Sequence, residues 1–289
     1  MSRRRRGKGR RGGNSFYLIV VVLALAAVWY YVSFHARPYL GGSLAVYFMD
    51  VGQGDATLVR TGAGYVLIDG GDRQAGPIVT RYLRNARVRR IEYVVATHPH
   101  ADHIGGLIDV LDGFEVGTII MPRVAHTTVT FENFIDAIER NDIPVREPIP
   151  GDTIVMGDAT FTIVAPNSSG HANLNDYSVS MLLSYGEMRF LFTGDAEAVS
   201  EAEMLGGGHD LFAQVLHVGH HGSRTSTTQP FLDAVSPLVA VISVGANNPF
   251  GHPHSEVVAR LEAAGVVIYR TDRHGTVRIS TDGRSLTVR

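Results

Sequence analysis

The chain has 289 residues, 45% hydrophobic and 19% charged, which suffices for a large core and excludes a disordered or fibrous class. The absence of cysteine excludes disulfides, thiolate zinc sites, iron–sulfur clusters and cysteine nucleophiles. The net charge of −2 hides an asymmetry: residues 1–15 carry seven basic side chains and no acid, leaving a body of 19 basic and 28 acidic residues that does not read as a general nucleic-acid binder.

The basic tail (1–15) is followed by an uncharged run over 16–34. As a helix this run is about 28 Å long, close to the hydrocarbon thickness of a bilayer. Trp29, Tyr30 and Tyr31 lie near its far end, where aromatic rings favour the membrane interface. The run is long for a signal peptide and no small-x-small cleavage pattern follows it, so it predicts an uncleaved transmembrane helix. The basic cluster fixes the tail as cytoplasmic and the body as extracytoplasmic, in a single-pass protein of the cell membrane. Residues 35–43, with Pro38, Gly41 and Gly42, read as a linker, and 44–289 as one domain.

Within that domain two series of elements follow the same order. The first has strand runs over 44–49, 56–60 and 65–68, Asp69, a helix over 77–87, a strand over 91–97 and a histidine cluster. The second has strand runs over 153–156, 160–164, 178–184 and 189–193, Asp195, a helix over 197–205, a strand over 214–218 and another histidine cluster. Further helices over 133–141 and 255–264, the latter capped by Ser255, would cover the outside. The expected architecture is α/β, helix–sheet–sheet–helix, with ligand-bearing loops at one shared edge.

Thr97-His-Pro-His-Ala-Asp-His-Ile-Gly-Gly106 places His98, His100, Asp102 and His103 within six residues after a strand. In extended backbone His98 and His100 point to one side, and the turn that follows lets Asp102 and His103 face a second position. One loop can thus serve two cations. Imidazole and carboxylate without sulfur suit zinc, manganese or iron. The loop alone under-coordinates two ions. Asp195 ends an apolar strand with a carboxylate able to bridge them, and the pairs His220/His221 and His252/His254 offer further ligands, His221 and His252 being favoured.

With Leu67-Ile-Asp-Gly-Gly71 and Asp195, this cluster resembles the metallo-β-lactamase fold superfamily. Phe48-Met-Asp-Val-Gly-Gln-Gly-Asp55, Phe192-Thr-Gly-Asp195, His220-His-Gly-Ser223 and Gly251-His-Pro253 are similar to the hydrolase domain of ComEC-type DNA-uptake proteins, over about 44–285. The resemblance implies a four-layer αββα sandwich of two mixed sheets and a binuclear centre of two divalent transition-metal ions, zinc or manganese. Phosphodiester hydrolysis, with single-stranded DNA among the substrates, is the leading chemistry; protein partners stay open.

By position Asp69 resembles the family's supporting carboxylate, and Asp50 and Asp55 are motif acids suited to a turn or a supporting hydrogen bond. One ion would take His98, His100, Asp195 and His221; the other Asp102, His103, Asp195 and His252. Asp102, Asp69 and His220 form the expected catalytic set, His220 as proton donor, while Ser223, Arg224 and Thr225 would contact phosphate. Two departures stand out. His217 occupies a position that is usually lysine in this branch, and the ligand histidine that commoner members carry before the bridging aspartate has only His171 as a counterpart. The competing readings are another ester hydrolase (phosphorylcholine esterase, lactonase or β-lactamase) and a non-enzymatic metal-binding envelope component.

Overall fold

The computed structural model describes residues 43–289. The basic tail, the predicted span over 16–34 and all of the linker but Ser43 lie outside the described residues. Among the described residues no helix is long and apolar enough to cross a membrane.

The chain first lays down β1 (Leu44–Phe48), β2 (Thr57–Thr61), β3 (Gly64–Ile68), β4 (Arg90–Val95), β5 (Glu115–Ile120) and β6 (Val145–Arg146). A second series follows: β7 (Thr153–Met156), β8 (Ala159–Ala165), β9 (Ser180–Tyr185), β10 (Met188–Phe192), β11 (Val215–His217), β12 (Val239–Ile242) and β13 (Val267–Arg270). The chain then returns with β14 (Val277–Thr281) and β15 (Leu286–Val288). One sheet has the order β15-β14-β1-β2-β3-β4-β5-β6 and the other β13-β12-β11-β10-β9-β8-β7. The two expected halves are therefore not self-contained, because the last two strands complete the first sheet by pairing with β1.

Strand periodicity sorts side chains between layers. Val46, Phe48, Val66 and Ile68 face the other sheet, where they meet Phe161, Met181, Leu183, Phe190 and Phe192. Leu58, Leu67 and Val94 face outward onto helices Gly76–Asn85, Leu107–Gly113 and Val129–Arg140. Leu182, Leu191, Leu216 and Ile242 do the same on the second sheet, under helices Ala198–Gly206, Gln229–Val235 and Ser255–Ala263. The four layers are those expected. Truncating a ring such as Phe192 in the central layer would cost about 3–5 kcal/mol.

Two boundaries differ for local reasons. The helix expected over 133–141 starts at Val129, because the Thr128 hydroxyl caps it by accepting the Phe131 N–H at 3.3 Å. Ser255 is the first helical residue rather than the cap; the cap position is His254, whose Nδ1 instead accepts the Arg224 N–H at 3.0 Å.

Strands β3 to β6 run parallel to one another, as do β10 to β13. Their carboxyl ends release the loops that carry Asp69, His98–His103, Asp195, His220–His221 and His252, and these loops meet at one edge. That is the usual location of a site in open parallel sheets.

Candidate metal centre

Asp69 follows β3 in the left-handed region (φ 57) and is fully buried. Its carboxylate accepts the Thr97 N–H at 2.9 Å and the Thr97 hydroxyl at 2.8 Å, and lies 2.8 Å from Nδ1 of His103. This fixes the His103 ring and turns Nε2 toward Oδ1 of Asp195, 3.3 Å away. The loop over 50–55 closes on the same turn. Gly54 lies so near the Asp102 carbonyl that a Cβ would sit 2.3 Å from its oxygen, so only glycine fits there.

Asp195 is buried and donates its backbone N–H to the Ser178 hydroxyl at 3.0 Å. Its Oδ1 faces His103 and, at 3.7 Å, His221; its Oδ2 faces His98 and His220, each at 3.7 Å. The adjacent His220 and His221 both take left-handed backbone (φ 49 and 53), and their side chains part. His221 sends Nε2 to Asp102 at 3.3 Å and Nδ1 to the Ser243 carbonyl at 3.0 Å and Asp55 at 3.3 Å. His220 turns Nδ1 to Glu197 at 2.9 Å, beside the Asn175 amide.

Nε2 of His103, Nε2 of His221 and Oδ1 of both Asp195 and Asp55 are buried without a hydrogen-bond partner. Such atoms are costly unless something else satisfies them. They fall into three-donor groups whose ligand atoms lie within 4.8 Å of one another: His98/His103/Asp195, Asp102/His103/His221, Asp55/Asp195/His221 and Asp55/Asp69/His103. Convergent nitrogen and carboxylate donors of this kind fit divalent transition-metal ions.

Among the described residues His221 shares one three-donor group with Asp102 and His103 and another with Asp55 and Asp195, and none with His98 and His100. His98 and His220 share Oδ2 of Asp195, each at 3.7 Å. His100 stands 3.0 Å from His98, and His252 lies with ring centroids 5.3 Å from His220 and 6.2 Å from His221, yet neither belongs to a three-donor group among the described residues. His171 faces Glu203 and Tyr177 instead of the centre.

The segment expected to contact phosphate is divided. The hydroxyls of Ser223 and Thr225 bond each other at 2.9 Å, with Thr225 3.4 Å from His220, while the Arg224 side chain is exposed toward Glu256. Asp50 forms a turn with Gly52. His217 is buried, 2.8 Å from the Ser243 hydroxyl and against the Phe48 ring.

The sequence analysis does not single out Glu197 or Ser243, which the structure places against His220 and His221. Of the two, Glu197 is the more readable, lying two residues past Asp195 on the same loop.

The electrostatics follow burial and partners. Burial alone would lower His103, but Asp195, Asp69 and Asp102 outweigh it and hold the imidazole well above the usual histidine range. Burial opposes the charge on His221 as well, and Asp195 and Asp55 raise it in the same way. Burial, reinforced by His103, holds His98 well below that range. Burial, with His220 and His221, pushes His252 down to about 4.

The fold and this donor set define the class. The chain matches the metallo-β-lactamase superfamily over residues 49–246 and belongs to that family, as a metal-dependent hydrolase. Within it, the chain is 29% identical over 259 residues to ComE operon protein 3 of Bacillus subtilis (strain 168), an overlap of 83% of this chain and 33% of that protein. It is 32% identical over 251 residues to competence protein ComA of Neisseria gonorrhoeae, covering 86% of this chain and 34% of the other. The chain thus spans about one third of the length of these curated relatives. Among solved structures, CmlA, a diiron β-hydroxylase from Streptomyces venezuelae, superposes with a TM-score of 0.55 at 14% identity, over 83% of this chain and 54% of that one; the likeness is one of fold.

Proposed function

We propose that the chain is a membrane-anchored, extracytoplasmic phosphodiesterase or nuclease of the ComEC type, working with two zinc or manganese ions on phosphodiesters such as single-stranded DNA. One observation carries the reading: the two oxygens of Asp195 face different sets of imidazoles, as a carboxylate shared by two cations requires. When bound, such ions would lower the pKa of a water to about 7 and neutralise charge developing on phosphoryl oxygens.

The chain's own residues supply orientation and proton transfer. Asp69 and Asp55 hold His103 and His221 from behind, so their free nitrogens point inward. Glu197 fixes Nδ1 of His220, leaving Nε2 to donate a proton to the leaving oxygen. Anchoring and orientation rest on the apolar run over 16–34 and the basic tail before it.

Metal analysis of the purified chain, joined to a substrate panel, tests the proposal. Close to two ions per chain are expected, with turnover of bis-p-nitrophenyl phosphate and single-stranded DNA. Full activity without metal, or turnover confined to nitrocefin or a phosphorylcholine ester, overturns it. Protease accessibility of the body in intact spheroplasts tests the orientation.

A further inference from the structure

The loop after β12 is unusually well tied for one that ends in an exposed aromatic. Asn248 spends its whole side-chain hydrogen-bonding capacity on it. Its Nδ2 donates to the carbonyls of Gly245 at 2.9 Å and His252 at 2.7 Å, and its Oδ1 accepts the N–H groups of Phe250 at 3.2 Å and His252 at 3.0 Å. Gly245 anchors the base of the loop by donating to Oε1 of Gln53 at 3.2 Å, and passes so close to that residue that a Cβ would lie 2.6 Å from its backbone nitrogen. This frame does not bury the phenyl ring. It holds Phe250 59% exposed.

The ring is not isolated. It stacks on His252 with centroids 5.7 Å apart and planes inclined by 26°, and His252 in turn stands 5.3 Å from His220. Phe250 is therefore two ring contacts out from the imidazole that faces Asp195. A flat apolar face, nearly parallel to its neighbour and pre-set by its loop, matches a planar heteroaromatic partner. Stacking of this kind tolerates any base, because every base offers a π-face.

We propose that Phe250 is the platform for a nucleobase flanking the scissile phosphate, with Asn248 as the positioning residue that holds it there. The proposal rests on the nucleic-acid reading above. It accounts for how an acidic body takes a polyanion: the cations bind the phosphate and the ring binds the base.

The test uses the full chain in detergent, loaded with manganese, and two single-stranded oligonucleotides that differ only in abasic sites flanking the cleaved position. In the unaltered protein, KM for the base-bearing strand is expected to be roughly tenfold lower than for the abasic one. Phe250→Ala and Phe250→Leu should bring that ratio near one, and Phe250→Trp should keep it, with metal content per chain unchanged throughout. Quenching of a 2-aminopurine beside the cleaved position should be lost in Phe250→Ala, a readout that needs no turnover.

A ratio near one in the unaltered protein, or an unchanged ratio in Phe250→Ala, overturns the proposal while leaving the nuclease reading intact. Failure to bind or cleave either strand while bis-p-nitrophenyl phosphate is turned over overturns both. Selective loss of phosphorylcholine-ester turnover in Phe250→Ala reassigns the ring to a quaternary ammonium and overturns the base platform.

Discussion

The two flanks of Asp195 are built differently. On the Oδ1 side His103 and His221 are buried, and each has a carboxylate behind it, Asp69 at 2.8 Å and Asp55 at 3.3 Å. On the Oδ2 side His98 is backed by the hydroxyls of Thr97 and Ser178, and His100, His220 and His252 are only half-buried. A carboxylate behind an imidazole fixes its tautomer and raises its basicity. Both imidazoles of the inner flank are thus buried and fixed by carboxylates, whereas on the outer flank only His220 has such a partner, Glu197 at 2.9 Å, and it stays half-buried. Metal retention should belong to the first and turnover to the second.

The largest test removes what the flanks share. Asp195→Ala is expected to lower kcat/KM by roughly a thousandfold or more, with a near-normal circular dichroism spectrum. Near-normal turnover would show that the bridge lies elsewhere. Next in size, Asp69→Asn should weaken metal binding by about 10- to 100-fold. Glu197→Gln should instead keep the metal and cost about tenfold in kcat. Parallel losses of metal and rate in both variants would erase the distinction between the flanks.

Proton release gives a third measure. His103 and His221 have raised values, so in metal-free protein they hold protons at neutral pH that a cation must displace. Apparent metal affinity should rise with pH, by up to about a hundredfold per unit for two protons, and calorimetry in buffers of different ionisation enthalpy should count them. A pH-independent affinity would contradict the charge assigned to the inner flank. The smallest effect is expected at His171, which faces Glu203 away from the centre; His171→Ala should stay within about twofold of full activity.

Much of this site was legible because its donors are clustered in sequence. The 98–103 turn announces itself, and Asp195 ends a run of apolar strand residues. The sharing of His220 and His221 between flanks was not legible. It depends on two successive left-handed residues, a backbone feature that the letters His-His do not encode. Glu197 and Asp55 stand in legible motifs, but the histidines they hold, His220 and His221, lie far along the chain, so their partners are not readable from local pattern. The alternating run of β14 is readable as a strand, but its pairing with β1 is a long-range choice made by the shared core.

That pairing also constrains how the domain is made. Leu44 finds its partner only in Thr281. At the usual 5–20 residues per second of protein synthesis, a nascent β1 waits roughly ten to fifty seconds for the strand that covers its open edge. Maturation of the hydrolase is therefore a late event, in which the first sheet closes only after the second has been delivered, and assistance that shields an unpaired edge would act in that interval.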